Sequence, residues 1–149
     1  MLFRSWFGAG RGVRGTVVLV TLGTGIGSAV LHNGSLLPDT ELGHLEVGGQ
    51  DAEKFASTVA RERNKWTWEQ WGRNVDRYLT TLEYMLAPDL FIIGGGVSAE
   101  PEQFFRYLEN VEAKIVPATM GNDAGIVGAA LFAVPGVKAL ARKRKRTAP

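Results

Sequence analysis

Glu41-Leu-Gly-His44 puts a carboxylate and an imidazole three residues apart with a glycine between them, so a turn at that point brings the two groups together. Such a pair can accept from and donate to vicinal hydroxyls of a sugar. It is also what an ordinary surface or structural pair looks like, and the spacing leaves both readings open. The second chemically equipped segment is Leu22-Gly-Thr-Gly-Ile-Gly-Ser-Ala29, where Gly23, Gly25 and Gly27 alternate with other residues. Alternating glycines strip one face of side chains and let an anion approach the backbone N–H groups, with the Thr24 and Ser28 hydroxyls as further donors. The plainer alternative is a tight hairpin that needs φ > 0. A Walker loop is excluded because no Lys-Ser/Thr follows the last glycine, and a dinucleotide fingerprint because Ser28 stands where it requires glycine.

These residues need elements to hold them. Thr16–Leu22 is β-branched and apolar, of strand length, and runs straight into the glycines. Asn33-Gly34 between Ala29-Val-Leu31 and Leu36-Leu37 is a strong hairpin signal, so the chain doubles back before reaching Glu41. Asp51 to Arg63, rich in Ala, Glu, Lys and Arg, reads as helical. Thr67-Trp-Glu-Gln70 resembles a capping box, and Trp68, Trp71, Val75, Leu79, Leu82 and Leu86 then recur at helical spacing until Ala87-Pro88. The tryptophans are assigned to packing, against the sheet or a second subunit, rather than to sugar stacking. Leu90–Ile93 reads as a strand buried on both faces, ending in Gly94-Gly95-Gly96 before a helix that Ser98 caps and that turns Phe104, Phe105, Leu108 and Val111 to one side. A strand end running through glycines into a helix start is where α/β sheets bind phosphate; the alternative is a flexible connection. Lys114–Val116 is a short strand, and Gly121 to Ala130 opens a last helix capped at Asn122-Asp123.

In this order, Leu22 to Ala29, Glu41 to His44 and Leu90-Phe-Ile-Ile-Gly-Gly-Gly-Val-Ser98 resemble the ROK family of sugar kinases, and within it the polyphosphate glucokinase branch. The resemblance covers nearly everything from Gly15 to about Ala133. It implies an α/β fold, the C-terminal lobe of an actin-like, ribonuclease-H-type ATPase. It further implies phosphoryl transfer from polyphosphate or ATP, with Mg2+, to the 6-hydroxyl of glucose, and a homodimer for the full-length family. Carried over by position, Glu41, His44 and Glu53 (of Glu53-Lys-Phe-Ala-Ser57) contact glucose. Gly23, Thr24, Gly25 and Gly27 take the transferred phosphate, and Gly94, Gly95 and Gly96 the rest of the donor.

Two departures from that family matter. Many members build a zinc site from the motif histidine and three cysteines; this chain has no cysteine, so no zinc is expected. Members also begin with an Asp-x-Gly-Gly-Thr phosphate motif and place their catalytic Asp in an Asn-Asp segment shortly before the glycine-rich strand, and nothing upstream of Gly15 supplies either. No catalytic residue is therefore assigned. Residues 1–14 are expected to be a truncated or non-family segment, 15–134 the lobe, and 135–149 a disordered basic tail. The chain by itself is expected to show little or no turnover. A second reading is a non-catalytic sugar-binding or dimerisation remnant of a ROK protein.

Composition sets the remaining bounds. The chain has 149 residues, 45% of them apolar, enough for one core. Its net charge of +2 comes from the run Arg142 to Arg146; the rest carries 12 basic against 15 acidic residues, a balance of −3. No aromatic residue interleaves that run, so no nucleic-acid partner is expected. The apolar start is short and broken by Arg4, no stretch of about eighteen apolar residues exists, and the expectation is a cytoplasmic protein with no membrane partner.

Overall fold

The computed structural model describes residues 13–118. The opening segment through Gly12, the Asn122-Asp123 pair with the closing helix, and the basic tail lie outside the described residues. Ten elements follow in order: β1 Thr16–Leu22, β2 Ile26–His32, β3 Ser35–Leu37, β4 Glu46–Val47, β5 Gln50–Asp51, α1 Glu53–Ala56, α2 Thr58–Asn64, α3 Trp68–Leu86, β6 Leu90–Gly94 and β7 Lys114–Pro117.

Five strands form one mixed sheet in the order β3-β2-β1-β6-β7, with β1 to β3 antiparallel and β6 and β7 running parallel to β1. Asn33 and Gly34, at φ 49° and 77°, make the two-residue turn between β2 and β3, as the Asn-Gly signal requires. Because side chains alternate along a strand, Val18, Val20 and Leu22 point to one face and Val17 and Leu19 to the other. The first face carries the main core. There Phe91 and Ile93 of β6 join Trp71, Val75, Tyr78, Leu79 and Leu82 of α3. Thr67 and Gln70 close the expected capping box, each side chain bonded to the other's N–H at 3.1 and 3.0 Å. Asp76 and Glu83 extend the helix's reach by accepting the backbone N–H groups of Asn110, Glu112 and Ala113, which steers the chain into β7.

Two expected helices are built differently. The stretch from Asp51 to Arg63 is not one helix: Ser57, at φ −71° and ψ 158°, separates α1 from α2 and caps the latter by accepting the Ala60 N–H at 3.1 Å. The buried Trp71 indole donates to the Ala56 and Ser57 carbonyls at 3.2 and 3.0 Å and so ties α3 to the break, the Ser57 carbonyl also accepting the Arg61 N–H of α2. Between β6 and β7 there is no α-helix either. Pro101 and a succession of i→i+3 bonds give three short 3-10 turns, Gly96–Ala99, Pro101–Gln103 and Phe105–Tyr107. Ser98 bonds back to the Gly95 carbonyl at 2.7 Å instead of capping a helix. The packing role of that segment survives the change: Phe104 and Leu108 are buried, and Trp68 stacks on Phe104 at 6.4 Å. No helix among the described residues is long and apolar enough to cross a membrane.

Candidate functional site

The site forms around the bend that joins β1 to β2. Residues 23 to 25 make the turn, and the Gly23 N–H donates to the Gly25 carbonyl at 2.9 Å. The amides of Thr24 and Gly25 have no hydrogen-bond partner among the described residues. Thr58, at the start of α2, fixes the bend by donating its hydroxyl to the Gly23 carbonyl at 2.7 Å and its N–H to the same oxygen at 3.1 Å. Gly27 lies one step beyond the bend, inside β2, paired with Thr21.

The Glu41-to-His44 segment packs on this bend. Leu42–His44 is one 3-10 turn, and a Cβ on Gly43 would fall inside contact distance of the Ile26 carbonyl oxygen, so only glycine lets the turn sit so low. From beneath, the Tyr78 phenol donates to the Leu42 carbonyl at 3.0 Å. Burial pushes this phenol's pKa up and keeps it a donor. From the β2 side, the Ser28 hydroxyl donates to the Thr40 carbonyl and accepts the Leu42 N–H, both at 3.1 Å. That corrects the expectation of Ser28 as an anion donor: its hydrogen-bonding capacity is committed to the loop.

Glu53 arrives at the same place from the start of α1. Its carboxylate accepts the Ile26 N–H at 3.3 Å and covers Gly25 so closely that a Cβ there would lie 2.8 Å from the carboxyl carbon. Glu53 Oε2 is 3.7 Å from His44 Nε2. The structure thus brings Glu53, His44 and the Gly23–Gly25 bend together. Glu41 is exposed at the head of the 3-10 turn, its carbonyl accepting the His44 N–H at 3.3 Å.

Sequence reasoning missed Asp51. Its Oδ2 lies 3.1 Å from His44 Nδ1, and its Oδ1 accepts the Glu53 N–H at 2.9 Å. The hydrogen bond to Asp51, then the charges of Glu53, Asp51 and Glu41, raises the His44 pKa above its ordinary value; the same bond lowers that of Asp51. A signal for this existed in Gly48-Gly49. The two glycines, at φ 61° and 79°, form a two-residue hairpin between β4 and β5 that folds Asp51 back beside His44.

The Gly94-to-Gly96 crossing borders the bend from the β6 side. Gly94 pairs with Thr21, which therefore stands between glycines on both neighbouring strands, Gly27 and Gly94. Gly95 has φ 91°, and a Cβ on it would strike the Leu22 main chain, so a side chain is refused both by conformation and by space. Gly96 is exposed and starts the 3-10 turn. Among the described residues no group of three or more His, Cys, Asp or Glu side chains is placed to hold a metal ion.

No protein-family model matches the chain. It is 52% identical over 128 residues to a polyphosphate glucokinase of Mycobacterium tuberculosis, covering 86% of this chain and 48% of that one. Among solved structures, an inorganic polyphosphate/ATP-glucomannokinase of Arthrobacter sp. superposes with a TM-score of 0.79 at 50% identity, over 83% of this chain and 48% of that chain. A ROK hexokinase of Thermus thermophilus superposes with a TM-score of 0.70 at 26% identity, over 93% of this chain and 63% of that chain. The fold is thus that of a lobe of the actin-like ROK kinases, and the chain spans about half the length of the curated relatives it matches. With the glycine bend, the Glu-x-Gly-His turn and the triple-glycine crossing meeting around one turn, the chain is similar in sequence to polyphosphate glucokinases and in fold to a lobe of the ROK kinases.

Proposed function

We propose that this chain is the sugar-and-phosphate lobe of a two-lobe kinase that transfers a phosphoryl group from polyphosphate or ATP to the 6-hydroxyl of glucose. The observation that carries the reading is the seating of the Glu53 carboxylate directly on Gly25 while it faces His44. An acceptor for sugar hydroxyls and a bend whose Thr24 and Gly25 amides are unpartnered among the described residues are thereby adjacent. Phosphoryl transfer needs little covalent chemistry from the protein; positioning and charge stabilisation do most of the work.

Each residue has a share in that positioning. Glu41, His44 and Glu53 hold hydroxyls of the hexose, the carboxylates by accepting hydrogen bonds from them. The unpartnered Thr24 and Gly25 amides supply donors to the transferred phosphate, and the Gly94–Gly96 crossing, which borders the bend, takes the rest of the donor. With no three-ligand cage among the described residues, a magnesium ion fits here only as it commonly binds in kinases, through the donor's phosphate oxygens and water, where it neutralises their charge. The family reaction also needs a proton acceptor at the 6-hydroxyl, which the resemblance places in an Asn-Asp segment ahead of the glycine-rich strand. Sugar binding is accordingly the property to test on this chain.

Calorimetric titration with glucose is expected to give saturable binding to the chain as it stands, weakened about tenfold in His44→Ala, the scale of losing one or two hydrogen bonds. A folded chain with no saturable response to glucose overturns the reading.

A further inference from the structure

Asp51 is the polar group of the site that the glucokinase reading leaves without a task. It is two-thirds buried while His44 beside it is mostly exposed, with side-chain exposures of 31% and 62%. Both of its oxygens are used: Oδ1 accepts the Glu53 N–H at 2.9 Å and Oδ2 faces His44 Nδ1 at 3.1 Å. An ionised carboxylate only accepts, so the imidazole nitrogen that meets it carries the proton. Resting on the sugar-binding reading, we infer that Asp51 is the positioning residue of His44. It takes the Nδ1–H, fixes the ring's plane and tautomer, and leaves Nε2 on the Glu53 side as the atom that meets a substrate hydroxyl.

The consequence is a defined pattern of acceptors. With Nδ1 protonated, neutral His44 offers the Nε2 lone pair beside Glu53 Oε2, 3.7 Å away, too far for a direct hydrogen bond. Two acceptors at that separation suit two adjacent hydroxyls of one hexose, each donating to one of them. Without Asp51 the nearest charge to the ring is Glu53 beside Nε2, which draws the proton to that nitrogen, so Asp51 is what holds it on Nδ1.

The substitution Asp51→Asn isolates this role. An asparagine keeps one acceptor oxygen, and the Glu53 N–H claims it. The amide NH2 then meets Nδ1 as a donor and favours the opposite tautomer, with Nε2 protonated. Imidazole 15N spectra of the chain, recorded above the His44 pKa, are expected to show Nδ1–H in the wild type and Nε2–H in Asp51→Asn. Glucose affinity is expected to fall about tenfold in that variant and to recover in part in Asp51→Glu, which restores a pure acceptor. A wild-type ring protonated at Nε2, or an asparagine variant with tautomer and affinity unchanged, overturns the inference. The spectra read the ring without sugar, so a chain that shows the tautomer exchange but binds no glucose supports Asp51's control of His44 and sinks the glucose reading alone.

Discussion

The loop that carries His44 is held on the surface by side chains, whereas the crossing at Gly95 is held by main chain against main chain. In the first, Ser28, Tyr78, Asp51 and Glu53 each contribute a hydrogen bond or a charge, and the ring they position is mostly exposed. In the second, the absence of a side chain on Gly95 permits the close approach, and the Ser98 hydroxyl adds a single bond to the Gly95 carbonyl. The two regions border one bend and should answer to different perturbations: the crossing to added volume, the loop to changes of charge. The largest expected effect is therefore at Gly95. Alanine there combines a left-handed φ, costing about 1–2 kcal/mol, with overlap on the Leu22 backbone, costing about 1–3 kcal/mol, so urea denaturation should show a loss of about 2–5 kcal/mol. Gly43→Ala overlaps the Ile26 carbonyl and crowds its Cβ without a positive φ, and should lose about 1–3 kcal/mol in the same experiment. Equal losses at both positions would erase the distinction between conformational and purely spatial demand.

The loop should respond the other way round. Glu53→Gln keeps the shape of the side chain and an oxygen for the Ile26 N–H, so stability should change by less than about 0.5 kcal/mol. Glucose affinity should nevertheless fall about tenfold or more, because a hydroxyl bonded to a carboxylate contributes about 1.5–3 kcal/mol and one bonded to an amide less. Titration of the variant beside its denaturation curve checks both halves. A large stability loss with intact binding would mean that Glu53 is a structural strut under Gly25 and no part of a sugar site.

The sequence disclosed those parts of the comparison that depend on short-range chemistry. Asn33-Gly34, Thr67 with Gln70, and the apolar run of β1 each specify their conformation from neighbouring residues, and each forms as expected. Glu41, His44 and Glu53 were legible as motif residues. The places that were not legible are those decided by distant partners. The break at Ser57 depends on an indole fourteen residues away, and the 3-10 turns after Gly96 place Phe104 and Leu108 in the core without the helix that their spacing implied. Ser28 looked like a free hydroxyl beside glycines until the loop from Thr40 came to occupy it. Asp51 was missed because its pairing with His44 requires β4 and β5 to form first.

The smallest expected effect is electrostatic and sharpens the loop's side of the comparison. Asp51, Glu53 and Glu41 face His44 and raise its pKa above the ordinary 6.5. A group with a raised folded-state pKa contributes stability that is fully present below its unfolded value and disappears as pH rises through the folded one. Denaturation midpoints should therefore drift downward as pH is raised from about 6.5, and the drift should be absent from His44→Gln. Asp51 gives the mirror image: its lowered pKa supplies stability above its ordinary 3.8 that is lost as pH falls below that value. Because the ring is mostly exposed, the neutral-range drift should shrink as salt approaches about 1 M, where screening extends to about 3 Å. Gly95→Ala should keep the same drift at a lower overall stability, since no charge at the crossing faces the ring. A drift that survives both salt and the loss of His44 would place its source outside the loop and remove the electrostatic half of the contrast.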